Sequence, residues 1–144
     1  MTGQLSVVSC QLFSRLLEEA MAKTNFERLQ VYKLAERLAD DVWAIVVKWN
    51  IFARETVGKQ LVKAADSIGA NIAEGTGRGT FVDNRRFVRI ARGSLNETKH
   101  WLRRAYRRQL LTDKEVRKLR PVLDELSPKL NAYLKSIGNV PVRT

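Results

Sequence analysis

The stretch AADSIGANIAEGTGR (residues 64–78) carries small or apolar side chains at Ala64, Ala65, Ile68 and Ile72 and then stops doing so. A spacing of three and four is that of one helix face. The small residues on that face let a neighbouring helix approach closely. The overlapping segment EGTGRGT (74–80) holds three glycines and no apolar residue, the composition of a turn between helices. A helix with a small-residue face, ended by a glycine turn, predicts an all-α chain.

Working outward, the helix that ends in this turn begins near Thr56, with Val57 and Leu61 on the same face. Before it, residues 27–50 repeat apolar positions at Val31, Leu34, Ala35, Leu38, Val42, Ile45, Val46 and Trp49, after an N-cap candidate at Asn25. Trp43 and Val47 widen that face, and a helix apolar beyond one stripe is usually buried on more than one side. The widening predicts self-association. After the turn, Thr80 is an N-cap for a third helix reaching about Gln109, with Asp83 three residues on. Thr112 and Glu115 form a capping box for a fourth, with Val116, Leu119, Leu123, Leu126, Leu130, Tyr133, Leu134 and Ile137 as its apolar series. Gly138 sits at the C′ position. Pro121 and Pro128 fall inside this last pattern, and each removes a backbone donor, so a kinked or two-piece helix is expected. Nothing reads as a strand. Short connections make consecutive helices antiparallel neighbours, so the expected fold is an antiparallel up-down-up-down four-helix bundle over residues 25–138.

Residues 1–24 read as an N-terminal extension. Residues 1–20 pattern poorly with the rest and are either loosely attached or upstream of a natural start at Met21. Residues 139–144 read as a flexible tail.

The chain has 144 residues, 26 Lys and Arg against 15 Asp and Glu, and a formal charge of +11. Its mean hydropathy is −0.28, that of a globular chain with apolar residues enough for one core. The longest apolar run, Val42–Val47, is far below the roughly 18–20 residues of a membrane span, so no membrane partner is expected. An excess of positive charge attracts polyanions, nucleic acid first among them. A single cysteine, Cys10, excludes an internal disulfide and a cysteine zinc site and fits a cytoplasmic location.

Most of the charge lies in one place. Between Arg78 and Arg108 there are ten Arg or Lys and two acids, Asp83 and Glu97. On a helical projection Arg85, Arg89, Arg92, Lys99, Arg103 and Arg107 fall in one narrow stripe, with Asn96 in its gap. Phe87, Ala91, Leu95, Thr98, Leu102 and Ala105 fall opposite. Nine of the ten cations are arginine, the residue suited to bidentate phosphate contacts and to stacking on bases. Three readings stay open for the stripe: a nucleic-acid surface, a salt-bridged contact neutralised by Glu36, Asp40 and Asp41, or a solvated face.

Other motifs carry less. Glu97 and His100 form a Glu-x-x-His pair, but a di-metal bundle needs two such pairs and further carboxylates facing the core. This chain has one histidine, so no metal and no cofactor are expected. The Arg that four-helix ribonucleases of the HEPN type place before their His is missing, since Gly93, Ser94 and Leu95 stand there. No Ser or Cys has a histidine partner, so no catalytic residue is expected. Gly75-x-Gly77-x-Gly79 follows a helix rather than a strand and is a weak phosphate-loop mimic. Arg78 nevertheless precedes a helix N-terminus, where anions are favoured.

Lys63-Ala64-Ala65, then Ser67-Ile68, Asn71-Ile72-Ala73-Glu74-Gly75, then Phe87, Ala91, Gly93-Ser94 and Glu97 form two motifs in order. Together with the opening FERLQVYKLAERLADDV (26–42), they resemble the 23S rRNA intervening-sequence proteins, also called the S23 ribosomal protein family. The resemblance runs from about Phe26 to Ile137. Gly69 stands where that family often has proline, and Pro121 and Pro128 are unusual for its last helix. The resemblance implies an antiparallel four-helix bundle, a homopentamer and no known enzymatic activity. Related accessory proteins of diversity-generating retroelements share the bundle and bind nucleic acid and a reverse transcriptase.

The expected function is therefore non-catalytic binding of RNA or DNA by an oligomeric bundle. Arg85, Arg89, Arg92, Lys99, Arg103 and Arg107, with Arg78, would contact phosphates, with little sequence preference. Ser67, Asn71, Glu74, Gly75, Gly93, Ser94 and Glu97 are expected to be structural. Asn71 and Ser94 would be buried polar pins, and Glu74 would pair with an arginine of the third helix. The alternative function is a scaffold that docks an acidic or reverse-transcriptase-like partner.

Overall fold

The computed structural model describes residues 3–21 and 26–139; the Asn25 cap and the tail beyond Asn139 lie outside them. These residues are helical, with no strand among them. Helix α1 spans Gly3–Met21, α2 Phe26–Val46, α3 Ile51–Ala53, α4 Lys59–Thr76, α5 Phe81–Arg107 and α6 Asp113–Ser136. A π-turn, Arg54–Gly58, joins α3 to α4, so the helix before the glycine turn starts earlier than Thr56. The signal was Asn50, whose side chain accepts from the Ala53 amide at 3.0 Å and caps the first turn.

The expected caps form. The Thr80 hydroxyl accepts from the Asp83 amide at 3.1 Å. Thr112 and Glu115 make the reciprocal box, at 3.1 Å and 2.9 Å. Helix α5 ends with Gln109 in the left-handed region at φ 62°, while Leu110 donates to the Ala105 carbonyl at 2.9 Å.

Of the kinked or two-piece final helix expected from Pro121 and Pro128, the two-piece form is not what forms, since α6 runs on through both. Each proline is solvent-exposed, where water can serve the carbonyl left without a donor.

Packing is pairwise and antiparallel. Gly58 meets Val46 and Gly69 lies on Tyr32 and Ala35, so α4 runs back along α2. Gly75 faces Asn84 and Phe87 while Ser67 bonds to Ser94, so α5 runs back along α4. Helix α2 also packs on α6, and α5 on α6. The contacts α2–α4–α5–α6–α2 thus close on themselves, with the α2–α4 and α5–α6 seams on opposite sides. Inside lie Val31, Leu38, Leu61, Ile68, Leu95 and Leu126, none more than 1% exposed. Val88 and Val122 join them, two core positions the helical patterns leave out. Phe87, placed by its pattern on the buried face, is only half-buried.

Helix α1 is not foreshadowed by the sequence pattern. Its Ser14 lines the α2–α4 groove, while Val7, Val8, Leu12, Phe13 and Leu16 are exposed. No helix among the described residues is long and apolar enough to cross a membrane.

Candidate nucleic-acid interface

Helix α5 is 27 residues long, and its stripe divides into two rows. Arg85, Arg92 and Lys99, seven residues apart, lean onto α6. The Arg85 Nη1 donates to the Ile137 carbonyl at 3.0 Å, the Arg92 Nη1 reaches Asn131 Oδ1 at 3.5 Å, and the Lys99 Nζ donates to Ser127 Oγ at 2.7 Å. Arg85 is half-buried, and its guanidinium lies over Gly138, where an added Cβ would stand 2.7 Å from Nη1. The side chain ties the start of α5 to the end of α6 and is committed to that carbonyl. Arg89, Arg103 and Arg107 are exposed.

The ion pairs among the described residues leave Arg89, Arg92, Lys99, Arg103 and Arg107 without a carboxylate partner. The acids of α2 do not reach the stripe. Asp41 lies 3.5 Å from Lys118. Glu36 and Asp40 line the groove between α2 and α4 with Asp66, on the far side from the α5–α6 seam. There, burial and the neighbouring Asp40 raise the Asp66 pKa. Burial, followed by Glu36, raises that of Tyr32. The molecule is therefore polarised, with acids along one seam and arginines along the other.

Arg78 pairs with Glu74 at 2.9 Å, and its guanidinium sits 4.8 Å from the centre of the Phe87 ring, with Arg86 at 5.2 Å. The arginine that holds Glu74 is thus the turn residue four positions on, not one of α5. The pair is about half exposed, and pairs of that kind contribute little stability.

The motif residues fall mainly at the α4–α5 contact. Ser94 donates to Ser67 Oγ at 3.1 Å across the two helices. Asn71 donates to the Ser67 carbonyl at 2.7 Å and to its hydroxyl at 3.0 Å. The cross-helix pin is therefore Ser67–Ser94, while Asn71 supports it from within its own helix. At Gly75 a Cβ would lie 2.6 Å from Asn84 Oδ1 and 3.1 Å from its carbonyl oxygen, so the helices meet where only glycine fits. Gly93 differs, with nothing within 4 Å of an added Cβ. Glu97 accepts from Trp101 Nε1 at 3.3 Å, and His100 meets the Trp101 ring edge-on at 5.0 Å. No group of three or more potential metal ligands occurs among the described residues.

The sequence patterns miss the α6 side of this surface. Ser127 and Asn131 join it only through packing, because their partners Lys99 and Arg92 lie 28 and 39 residues away.

A family model described as 23S rRNA-intervening sequence protein matches residues 27–132. The chain belongs to the 23S rRNA-intervening sequence protein family. The match spans the circuit from α2 to most of α6 and omits α1. Among solved structures, the chain is similar to a protein of unknown function from the S23 ribosomal protein family of Bacteroides thetaiotaomicron VPI-5482. That similarity has 22% identity and a TM-score of 0.67, and covers 76% of this chain and 99% of the other; at that identity it bears on the fold alone. No curated protein matches the chain. The family's two motifs thus map here onto the α4–α5 contact, and the arginine rows lie beside it.

Proposed function

We propose that this family member is an antiparallel up-down-up-down four-helix bundle, built from α2, the α3–α4 unit, α5 and α6, that binds RNA or DNA without catalysis. One observation carries this reading. A row of arginines is held on a long rigid helix with no carboxylate in ion-pairing contact with it among the described residues. A face made only for solubility mixes signs along the helix and gains i,i+4 pairs. Arg89, Arg92, Lys99, Arg103 and Arg107 contact phosphates, with Arg78 at the turn, while Arg85 holds the α5–α6 seam. Such contacts place a polyanion without reading its sequence.

Self-assembly, as a pentamer in line with the resemblance, completes the proposal. Trp43, Val47, Ile51 and Phe52, at 44–79% exposure, cluster within ten residues of chain, and exposed large apolar patches mark contact surfaces. The exposed thiol of Cys10 suits a reducing cytoplasm.

The test is fluorescence anisotropy with single-stranded RNA over a salt series, comparing the wild type with an Arg89→Gln, Arg103→Gln, Arg107→Gln variant of equal helicity and assembly. Each lost phosphate contact flattens the slope of log K against log salt by about 0.7, so the variant should be shallower by about 2. Equal slopes would overturn the assignment. The same unpaired arginines also suit the alternative, a scaffold for an acidic or reverse-transcriptase-like protein. Competition between polynucleotide and that partner separates the two.

A further inference from the structure

The seam between α5 and α6 opens towards the C-terminal end of α5 into a groove of about 440 Å³. Its floor is apolar, made by Leu102, Leu111, Leu119 and Leu123, and its rim carries Lys99, Arg103 and Tyr106, with Arg120 held by Asp124 at 3.7 Å on the α6 side. Tyr106 lies seven residues beyond Lys99, in the same row as Arg85 and Arg92, and is 51% exposed. The cationic row therefore ends in an aromatic side chain beside an apolar trough of a size that ordinarily holds a small organic molecule.

We propose that this groove takes unstacked bases, so that the α5 surface prefers single-stranded nucleic acid to duplex. The inference rests on the phosphate-binding reading above and goes beyond it. A base is a flat, largely apolar body tied to a phosphate. A cationic track beside an aromatic platform is the general way of holding a single strand. In a duplex the base faces are stacked on one another and cannot enter the groove. An acyl chain with one acidic headgroup suits the floor, but it leaves most of the track unused. From Arg89 to Arg107 the whole stripe runs about 27 Å at 1.5 Å per residue, a length that suits a chain of repeated phosphates.

The experiment uses the full chain and fluorescein-labelled 12-nucleotide RNA, single-stranded or in a duplex of equal length. Wild type, Tyr106→Ala and Tyr106→Phe are compared by anisotropy across a salt series, with a 2-aminopurine-substituted strand as a second probe. Tyr106→Ala should lose about tenfold in affinity for the single strand, within the effect of one base–aromatic stack. Its salt slope and its duplex affinity should not change, because no charge is removed. Tyr106→Phe should keep the affinity, and the 2-aminopurine quenching seen with wild type should be lost only in the alanine variant. Equal wild-type affinity for the two forms, or an equal loss for both in Tyr106→Ala, overturns the groove assignment and leaves the arginine track standing. Failure of the wild type to bind either form overturns the track and the groove together. Displacement of the strand by sub-micellar oleate, abolished by Tyr106→Ala, would make the groove an acyl-chain site instead.

Discussion

Gly75→Ala and Gly93→Ala should move stability in opposite directions, although both glycines belong to the family's motifs and both lie in helices. At Gly75 the new Cβ would stand 2.6 Å from Asn84 Oδ1, 3.0 Å from Phe87 Cβ and 3.1 Å from the Asn84 carbonyl oxygen. The side-chain oxygen can swing away. The carbonyl and the Phe87 Cβ belong to the backbone frame of α5, so the α4–α5 pair must separate there. Overpacking of this kind costs about 1–3 kcal/mol, against a gain of about 0.4–1 kcal/mol from replacing glycine with alanine in a helix. The net loss is about 1 kcal/mol, or about 3 °C in Tm for a chain of this length. At Gly93 nothing lies within 4 Å, so only the gain remains, and Tm should rise by about 2 °C. Thermal unfolding followed by circular dichroism, at one fixed protein concentration because assembly shifts Tm, measures both. A rise for Gly75→Ala, or a fall for Gly93→Ala equal to that of Gly75→Ala, would refute the packing assigned to the two positions.

Arg85→Gln should cost about 1–2 kcal/mol in urea unfolding, because it removes a charge-assisted bond to the Ile137 carbonyl; loss of RNA affinity without loss of stability would return Arg85 to the binding surface. Gln109→Gly should stabilise by about 1 kcal/mol, since Gln109 holds φ 62° and only glycine adopts that region freely; an unchanged urea midpoint would contradict it. Asp66 binds its proton more tightly in the fold than in the unfolded chain, because burial and then Asp40 disfavour its charge. Its cost is therefore absent below the ordinary value of 3.8 and full above the raised one. Asp66→Asn should raise Tm at neutral pH and lose that advantage at about pH 3, and a pH-independent gain would point to another cause.

The features legible in the sequence are those with local causes. Thr80, Thr112 with Glu115, and the glycine turn at 74–80 place helix ends through contacts within four residues, and the core of α2 follows from a single repeating face. The polar character of Asn71 and Ser94 pointed to the α4–α5 contact, but the partner that bridges it is Ser67, whose role depends on how two helices are rotated. The two-piece alternative for α6 failed because a proline's effect depends on exposure, which the local pattern of α6 does not state. Arg85 misled for a related reason. It matches its stripe neighbours in every local respect, yet its partner lies 52 residues away. The groove beside Tyr106 has no sequence signature, since it is the space left where α5 and α6 diverge.

The opposite placement of the two charged seams bears on symmetry. A two-fold axis brings identical surfaces together, so a symmetric dimer through either seam would set arginine against arginine or carboxylate against carboxylate. A contact that uses both must be head-to-tail, with the Glu36, Asp40 and Asp66 seam of one copy facing the arginine seam of the next. Head-to-tail contacts generate rings when the rotation between the two surfaces divides a full turn, and open filaments when it does not. In a ring of that kind each joint occupies the arginines it uses, so the polyanion is left only those that the joint does not cover.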